Sequence, residues 1–228
     1  MSWPATAEGL VLEQEALGRT TPERWSPGPE PPAVGGCFVC FPRGAHGPGR
    51  SGDRGWAAAV VLRDDEMRAH AVVAGVAGAP YEPGLLALRV GPLLEAAVRA
   101  AGTMPDVLLV DATGRDHPRR AGLALQLGEI LDVPTVGVTH RPLLATGSWP
   151  PDEECATAPL ALDGDVVGAW LRTSVATRPL AVHAAWRTDP ATAVVVVVAS
   201  LSGRRTPEPL RLARTLAREA RAASGTPA

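Results

Sequence analysis

Apolar residues along the chain fall into short blocks typical of strands, separated by stretches in which they recur every three or four positions as in helices. Strands are expected at Val34 to Phe41, Trp56 to Leu62 and His70 to Val76, with a Gly-rich loop from Pro42 to Gly55 between the first two. That opening reads as an antiparallel meander. After Pro80-Tyr81-Glu82-Pro83-Gly84, helical spacing runs from Leu85 to Ala101, with Leu86, Leu93, Leu94 and Ala97 on one side. The strand Asp106 to Asp111, a helix from Pro118 to Leu131 and the strand Pro134 to Val138 make a β-α-β unit of parallel type. A hairpin turning at Asp163-Gly164 joins Pro159–Leu162 to Val166–Arg172. A short strand at Leu180 to His183, a helix from near Thr188 to Leu201 and an amphipathic helix from Pro207 to about Ala222 complete the order.

Three antiparallel strands followed by alternating helices and strands is the order of a ribonuclease-H-like mixed α/β sheet flanked by helices. A dinucleotide-binding fold is excluded, because it begins β-α-β and carries a Gly-rich first turn that this chain lacks. The expected organisation is a Pro-rich leader at 1–32 with a helix at Thr6 to Leu17, one domain at 33–223, and a tail at 224–228.

Composition adds limits. With 228 residues, 46% hydrophobic and 20% charged, the chain can bury the core of one full domain. All 22 basic residues are Arg, and the net charge of -2 supplies no global attraction to a polyanion. Three Cys and no signal-peptide pattern fit a reducing cytoplasm. Cys37 and Cys40 spell C-x-x-C, but three positions apart on a strand place them on opposite faces, against a shared metal or a disulfide. Ala193 to Leu201 is apolar yet far short of the roughly 20 residues of a membrane span, so no membrane partner is expected.

The candidate chemistry centres on Pro105 to Arg120, where an apolar strand ends on Asp111 and is followed by a turn with Gly114, then His117 and basic residues. A sheet presents a carboxylate to a metal at its carboxyl edge in this manner. Five segments in order then carry a family likeness: Pro80 to Arg89, Asp111 to Gly122, Pro134-Thr135-Val136-Gly137-Val138, Val167 to Thr173, and Thr206 to Ala213. From about Val34 to Ala220 the chain resembles endonuclease V, a family of metal-dependent nucleases that cut near deaminated bases such as inosine in DNA or RNA.

The resemblance implies three metal-binding carboxylates: an Asp in the first strand, a Glu directly after the Arg of the Tyr-Pro-Gly helix, and an Asp ending the fourth strand. Here these positions hold Phe38, Val90 and Asp111. The family's Lys after the Pro-Thr-Ile-Gly-Val strand is His140. Its Ser-x-Gly-His stretch has become His183-Ala184-Ala185-Trp186, and the first Gly after the surviving Asp is Ala112. Matching positions imply a wedge at Tyr81, which fills the gap left by a base swung out of its stack, with Pro80, Pro83, Gly84 and Arg89 around it. They also place Gly114 beside the base pocket, His117 near the metal and Arg119 near the substrate backbone.

The candidates are therefore Asp111, His117 and His140 for catalysis; Pro80, Tyr81, Pro83, Gly84, Arg89, Gly114, Arg119, Phe38 and Val90 for substrate; and Asp111 for metal. No cofactor is required, and Mg²⁺ binding at a lone carboxylate is expected to be weak. Three readings stay open. The first is an endonuclease-V-like protein with a degenerate metal site that keeps a nucleic-acid or nucleobase cleft. The second is a fold recruited to metal-independent chemistry or binding of a small apolar metabolite, lined by Phe38, Val90 and Trp186, with His183 as a further proton-moving group. The third is an inosine-directed nuclease whose ligands are rearranged, with Asp116, Glu82, Asp64 and Asp65 as substitute acids.

Overall fold

A computed structural model describes residues 3–44 and 47–225. Residues 1–2 of the leader, 45–46 of the Gly-rich loop and 226–228 of the tail lie outside the described residues. The helices are α1 (Ala7–Gly18), α2 (Leu86–Ala100), α3 (Leu123–Leu131), α4 (Pro190–Ala199) and α5 (Glu208–Ala223). The strands are β1 (Val34–Cys40), β2 (Arg54–Arg63), β3 (Glu66–Val76), β4 (Val107–Val110), β5 (Thr135–Thr139), β6 (Thr157–Leu162), β7 (Asp165–Leu171) and β8 (Leu180–Ala184).

All eight strands form one mixed sheet in the order β3-β2-β1-β4-β5-β8-β7-β6. β1 pairs with β4, and β4 with β5, in parallel, while the remaining neighbours are antiparallel. This is the ribonuclease-H-like architecture the element order implies. Alternation sorts each strand between two cores. In β4, Leu108 and Val110 join Cys37 and the apolar sides of α1, α2 and α3, whereas Val107 and Leu109 pack with α4 on the other face. In β1, Cys37 lies in the first core and Cys40 lies under α5, its Sγ 3.3 Å from the Ala217 carbonyl. None of the described helices is long and apolar enough to cross a membrane.

One element differs from its expectation in a way that shapes the site. The helix expected from Pro118 starts only at Leu123. His117 Nδ1 accepts the Arg119 amide at 3.2 Å, Arg120 adopts φ +56°, and the Gly122 amide donates to Gly114 O. These contacts hold residues 118–122 as an irregular turn folded back on the end of β4. Elsewhere the differences are at ends: β3 begins four residues earlier than expected, and α4 begins at Pro190, capped by the Asp189 carboxylate accepting from the Thr192 amide. The helix expected in the leader is α1, and it is seated on the domain through buried Leu10, Gln14 and Leu17.

Candidate functional site

The carboxyl edge of β1 and β4 meets the segment that enters α2. Gly84 adopts φ +82°, a left-handed conformation that glycine takes without the Cβ penalty. Its carbonyl accepts from Gln14 Nε2 at 3.1 Å, His117 Nε2 at 3.0 Å and an Arg119 terminal nitrogen at 3.0 Å. Because His117 Nδ1 already accepts the Arg119 amide, the imidazole proton resides on Nε2 and points at Gly84. Burial holds the His117 pKa down to about 4, opposed by the Gly84 hydrogen bond, so the ring is neutral near pH 7. Arg119 Nε completes the clamp with a 2.7 Å bond to Gln14 Oε1. His117 and Arg119 are thus turned to main chain and to α1. Arg115 and Arg120 are likewise bonded to carbonyls, at Gly18 and Thr20 and at Leu162.

The clamp presents Tyr81, which is 47% exposed between Pro80 and Pro83, its amide donating to Pro48 O at 2.7 Å. Beneath it lies a cavity of about 280 Å³ whose walls include Tyr81, Gly84, Asp111, Ala112, Leu123 and Leu143. The floor turn needs glycine at Gly114, because a Cβ there falls 2.1 Å from Ala184 O. The far wall is fixed by Asp116. That fully buried carboxylate accepts from the amides of Leu143, Leu144 and Ala145 at 2.7, 2.9 and 2.7 Å. Asp116 therefore faces the 143–145 loop and not Asp111. The Thr139 hydroxyl donates to Arg141 O, so His183 Nε2 donates to Thr139 Oγ1 at 2.8 Å. His183 Nδ1 stands 3.6 Å from Asp116 without a hydrogen-bond partner. Burial lowers the pKa of His183, with Asp116 acting in the opposite direction.

A second cavity of about 240 Å³, lined by Phe38, Phe41, Val90 and Leu94, shares Tyr81 and Asp111 with the first. Phe38 reaches it because Cys37 pairs with Val110 in parallel register, which carries the next residue of β1 beside Asp111. Val90 is 3% exposed on α2. Arg89 is directed elsewhere, donating to Ala79 O at 2.7 Å, Arg50 O at 3.2 Å and Asp53 Oδ2 at 2.9 Å while stacking on Phe41. It ties the Gly-rich loop to α2. Trp186 lines neither cavity and packs beside Gly128.

Asp111 has a partner that the strand patterns do not reveal. A terminal nitrogen of Arg214 on α5 donates to Asp111 Oδ2 at 3.2 Å, and the same guanidinium lies 5.1 Å from the centre of the Phe38 ring. The only signal in the sequence is the spacing of Arg211, Arg214, Arg218 and Arg221 along an amphipathic helix. His140 is exposed, and its Nδ1 accepts from Arg205 at 3.0 Å, since a guanidinium has no acceptor; the proton is on Nε2. Desolvation first, then Arg205, lower the His140 pKa. Among the described residues no group of three or more His, Cys, Asp or Glu side chains is arranged to hold a metal ion.

Comparison with known proteins sets this geometry in context. Residues 31–215 match the family model for endonuclease V. An endonuclease V of Methanopyrus kandleri is 44% identical over 165 residues, 71% of this chain and 71% of the relative. The crystal structure of endonuclease V from Streptomyces avermitilis superposes with a TM-score of 0.87 at 34% identity, covering 99% of this chain and 97% of that one. An endonuclease V of Ciona intestinalis, in complex with a 24mer DNA containing an inosine followed by a ribo-adenosine, has the same fold: TM-score 0.74 at 21% identity, over 94% of this chain and 97% of that one.

Proposed function

This chain belongs to the endonuclease V family, and from that premise we propose that it binds nucleic acid at a nucleobase cleft without catalysing metal-dependent cleavage. The observation that carries the reading is the Asp111–Arg214 contact stacked on Phe38. Hydrolysis of a phosphodiester by this type of site needs divalent ions held by several carboxylates, one face of which activates water. The residues here do not fit such an ion. Of the three carboxylate positions implied by the family likeness, one is a phenyl ring, one a buried isopropyl group, and the third is bonded to a guanidinium. Asp116, the nearest acid in the same segment, is fully buried and held by three amides of the 143–145 loop.

The binding half is supported by different residues. Tyr81 stands exposed on a loop braced by two prolines and by the Gly84 clamp, above a cavity large enough for a base-sized group. An aromatic face offers stacking to any base, worth about 1–3 kcal/mol. All the basic side chains of the protein are guanidiniums, which favour bidentate contacts with phosphate.

The test is a paired assay on DNA containing deoxyinosine and RNA containing inosine. No cleavage above background is expected with millimolar Mg²⁺ or Mn²⁺. Binding of the same probes by fluorescence anisotropy is expected to be weak and to fall steeply with salt. Metal-dependent nicking abolished by Asp111→Ala overturns the proposal, and so does an absence of binding at low salt to every single- and double-stranded probe.

A further inference from the structure

We propose that the edge of the cleft built around Arg214 is an anion site that takes a phosphate group directly, a guanidinium standing where the family likeness implies a cation. The inference rests on the nucleic-acid reading for its natural ligand but on separate observations for the site. The group at risk of desolvation is Arg214: it spends one terminal nitrogen on Asp111, its Nε is buried without an acceptor, and its side chain is 20% exposed. The Phe38 ring, its centre 5.1 Å from the guanidinium carbon, offers Arg214 no hydrogen-bond acceptor and leaves its remaining donors for others.

Neighbouring charges point the same way. The groups acting on His140 are the guanidiniums of Arg205, Arg214 and Arg178 against the single carboxylate of Asp111. Arg178 and Arg214 both also act on Arg205, each opposing its charge. Three like charges held together with one counter-charge leave a local surplus of positive potential on a protein whose overall charge is negative. Arg205 is held in this arrangement by main-chain carbonyls at Arg178 and Pro179, and Arg178 is held over the exposed Trp149 ring. The cluster is thus fixed before any ligand arrives. His140 adds a neutral Nε2–H beside it, a donor of the kind phosphate oxygens accept.

The neighbouring 280 Å³ cavity shares Asp111 with this cluster, so a nucleotide with its base under Tyr81 brings its phosphate to Arg214. Both a phosphodiester in a strand and the phosphate of a free nucleotide supply that chemistry. The experiment compares inosine, inosine 5′-monophosphate and an inosine-containing oligonucleotide by titration calorimetry, with pyrophosphate as a base-free probe in thermal unfolding. The expected result is that the monophosphate binds about tenfold more tightly than the nucleoside. Arg214→Gln is expected to remove that increment and leave nucleoside affinity unchanged. Asp111→Asn, which weakens the hold on Arg214 and deletes the one opposing charge, is expected to enlarge the increment. Opposite effects of the two variants separate the proposal from simple loss of folding.

Equal affinity for nucleoside and monophosphate in the parent protein overturns the anion site, as does a monophosphate increment unaltered by Arg214→Gln. An oligonucleotide that binds the Arg214→Gln variant as tightly as the parent overturns the site while keeping the nucleic-acid reading. If pyrophosphate raises the melting temperature of the parent but not of Arg214→Gln, and no nucleoside or oligonucleotide binds, the site stands and the nucleic-acid reading falls. A monophosphate preference without oligonucleotide binding assigns the site to free nucleotides.

Discussion

The two halves of the cleft are built by different rules, though Tyr81 and Asp111 belong to both. On the base side, an exposed aromatic is supported by a buried polar clamp in which Gln14, His117 and Arg119 converge on one carbonyl. On the other side, apolar side chains and a stacked cation replace acids, and Asp111 is the single carboxylate left. A binding surface tolerates this asymmetry, because stacking and phosphate contacts act independently. A reaction that moves charge between water, metal and leaving group does not.

The largest effect is expected from putting an acid back on the altered side. Val90→Glu buries a carboxylate beside Leu94 and Phe38 and should cost about 3 kcal/mol or more in urea unfolding. Adding Phe38→Asp and Arg214→Ala restores the acids and removes the competing cation; Mn²⁺ should then raise the melting temperature of that triple variant and leave the parent unchanged. Equal melting of the triple variant with Mn²⁺ and with chelator breaks the comparison, because both halves would then be remodelled.

The clamp side should reveal itself through pH. Unfolded His117 takes up a proton near pH 6.5, but the folded ring does so only near pH 4. Its neutral form therefore contributes fully above about pH 6.5, and stability falls as pH drops toward 4, by about 3 kcal/mol for a shift of this size. His117→Gln should remove its share of that fall and leave the share of His183, whose pKa burial also lowers, and a parent profile level from pH 7 to 4 contradicts neutral buried rings. Arg119→Ala comes next in size. It strips a charged donor from Gly84 O and from Gln14 Oε1, and a loss of about 2 kcal/mol is expected in the same urea measurement.

Smallest in stability is Tyr81→Ala. A half-exposed ring should cost about 0.5 kcal/mol or less on folding, yet oligonucleotide affinity should fall about tenfold. Unchanged affinity would make Tyr81 a packing residue and remove the base side as a recognition surface.

The sheet was legible because its signals are local: a continuous buried apolar run in β2, period-two burial in β3, a hairpin turn at Asp163-Gly164, and Pro190 at the start of α4. The helix start after His117 was not, since Arg120 turns left-handed and the Gly122 amide is taken by Gly114 O, long-range and conformational features that helical spacing does not report. At the site, the positions of Phe38, Val90 and Asp111 follow from motifs. Arg214 does not, because its partner is 103 residues away and an arginine on an amphipathic helix ordinarily faces water. The inward turn of His117 and Arg119 was equally hidden, resting on a carbonyl 33 and 35 residues earlier.

The seating of α1 has a kinetic consequence. A 12-residue helix is marginal in water by itself. The groups that Gln14 holds lie 70 and 105 residues downstream of it. Docking of α1 is therefore expected to follow closure of the turn at 118–122, and a refolding phase that disappears in Gln14→Ala would report that long-range step. In the mature protein the same dependence runs in reverse: amide protons of α1 should exchange with solvent together with those of the Gly84 loop, as one cooperative unit that opens below the global unfolding free energy.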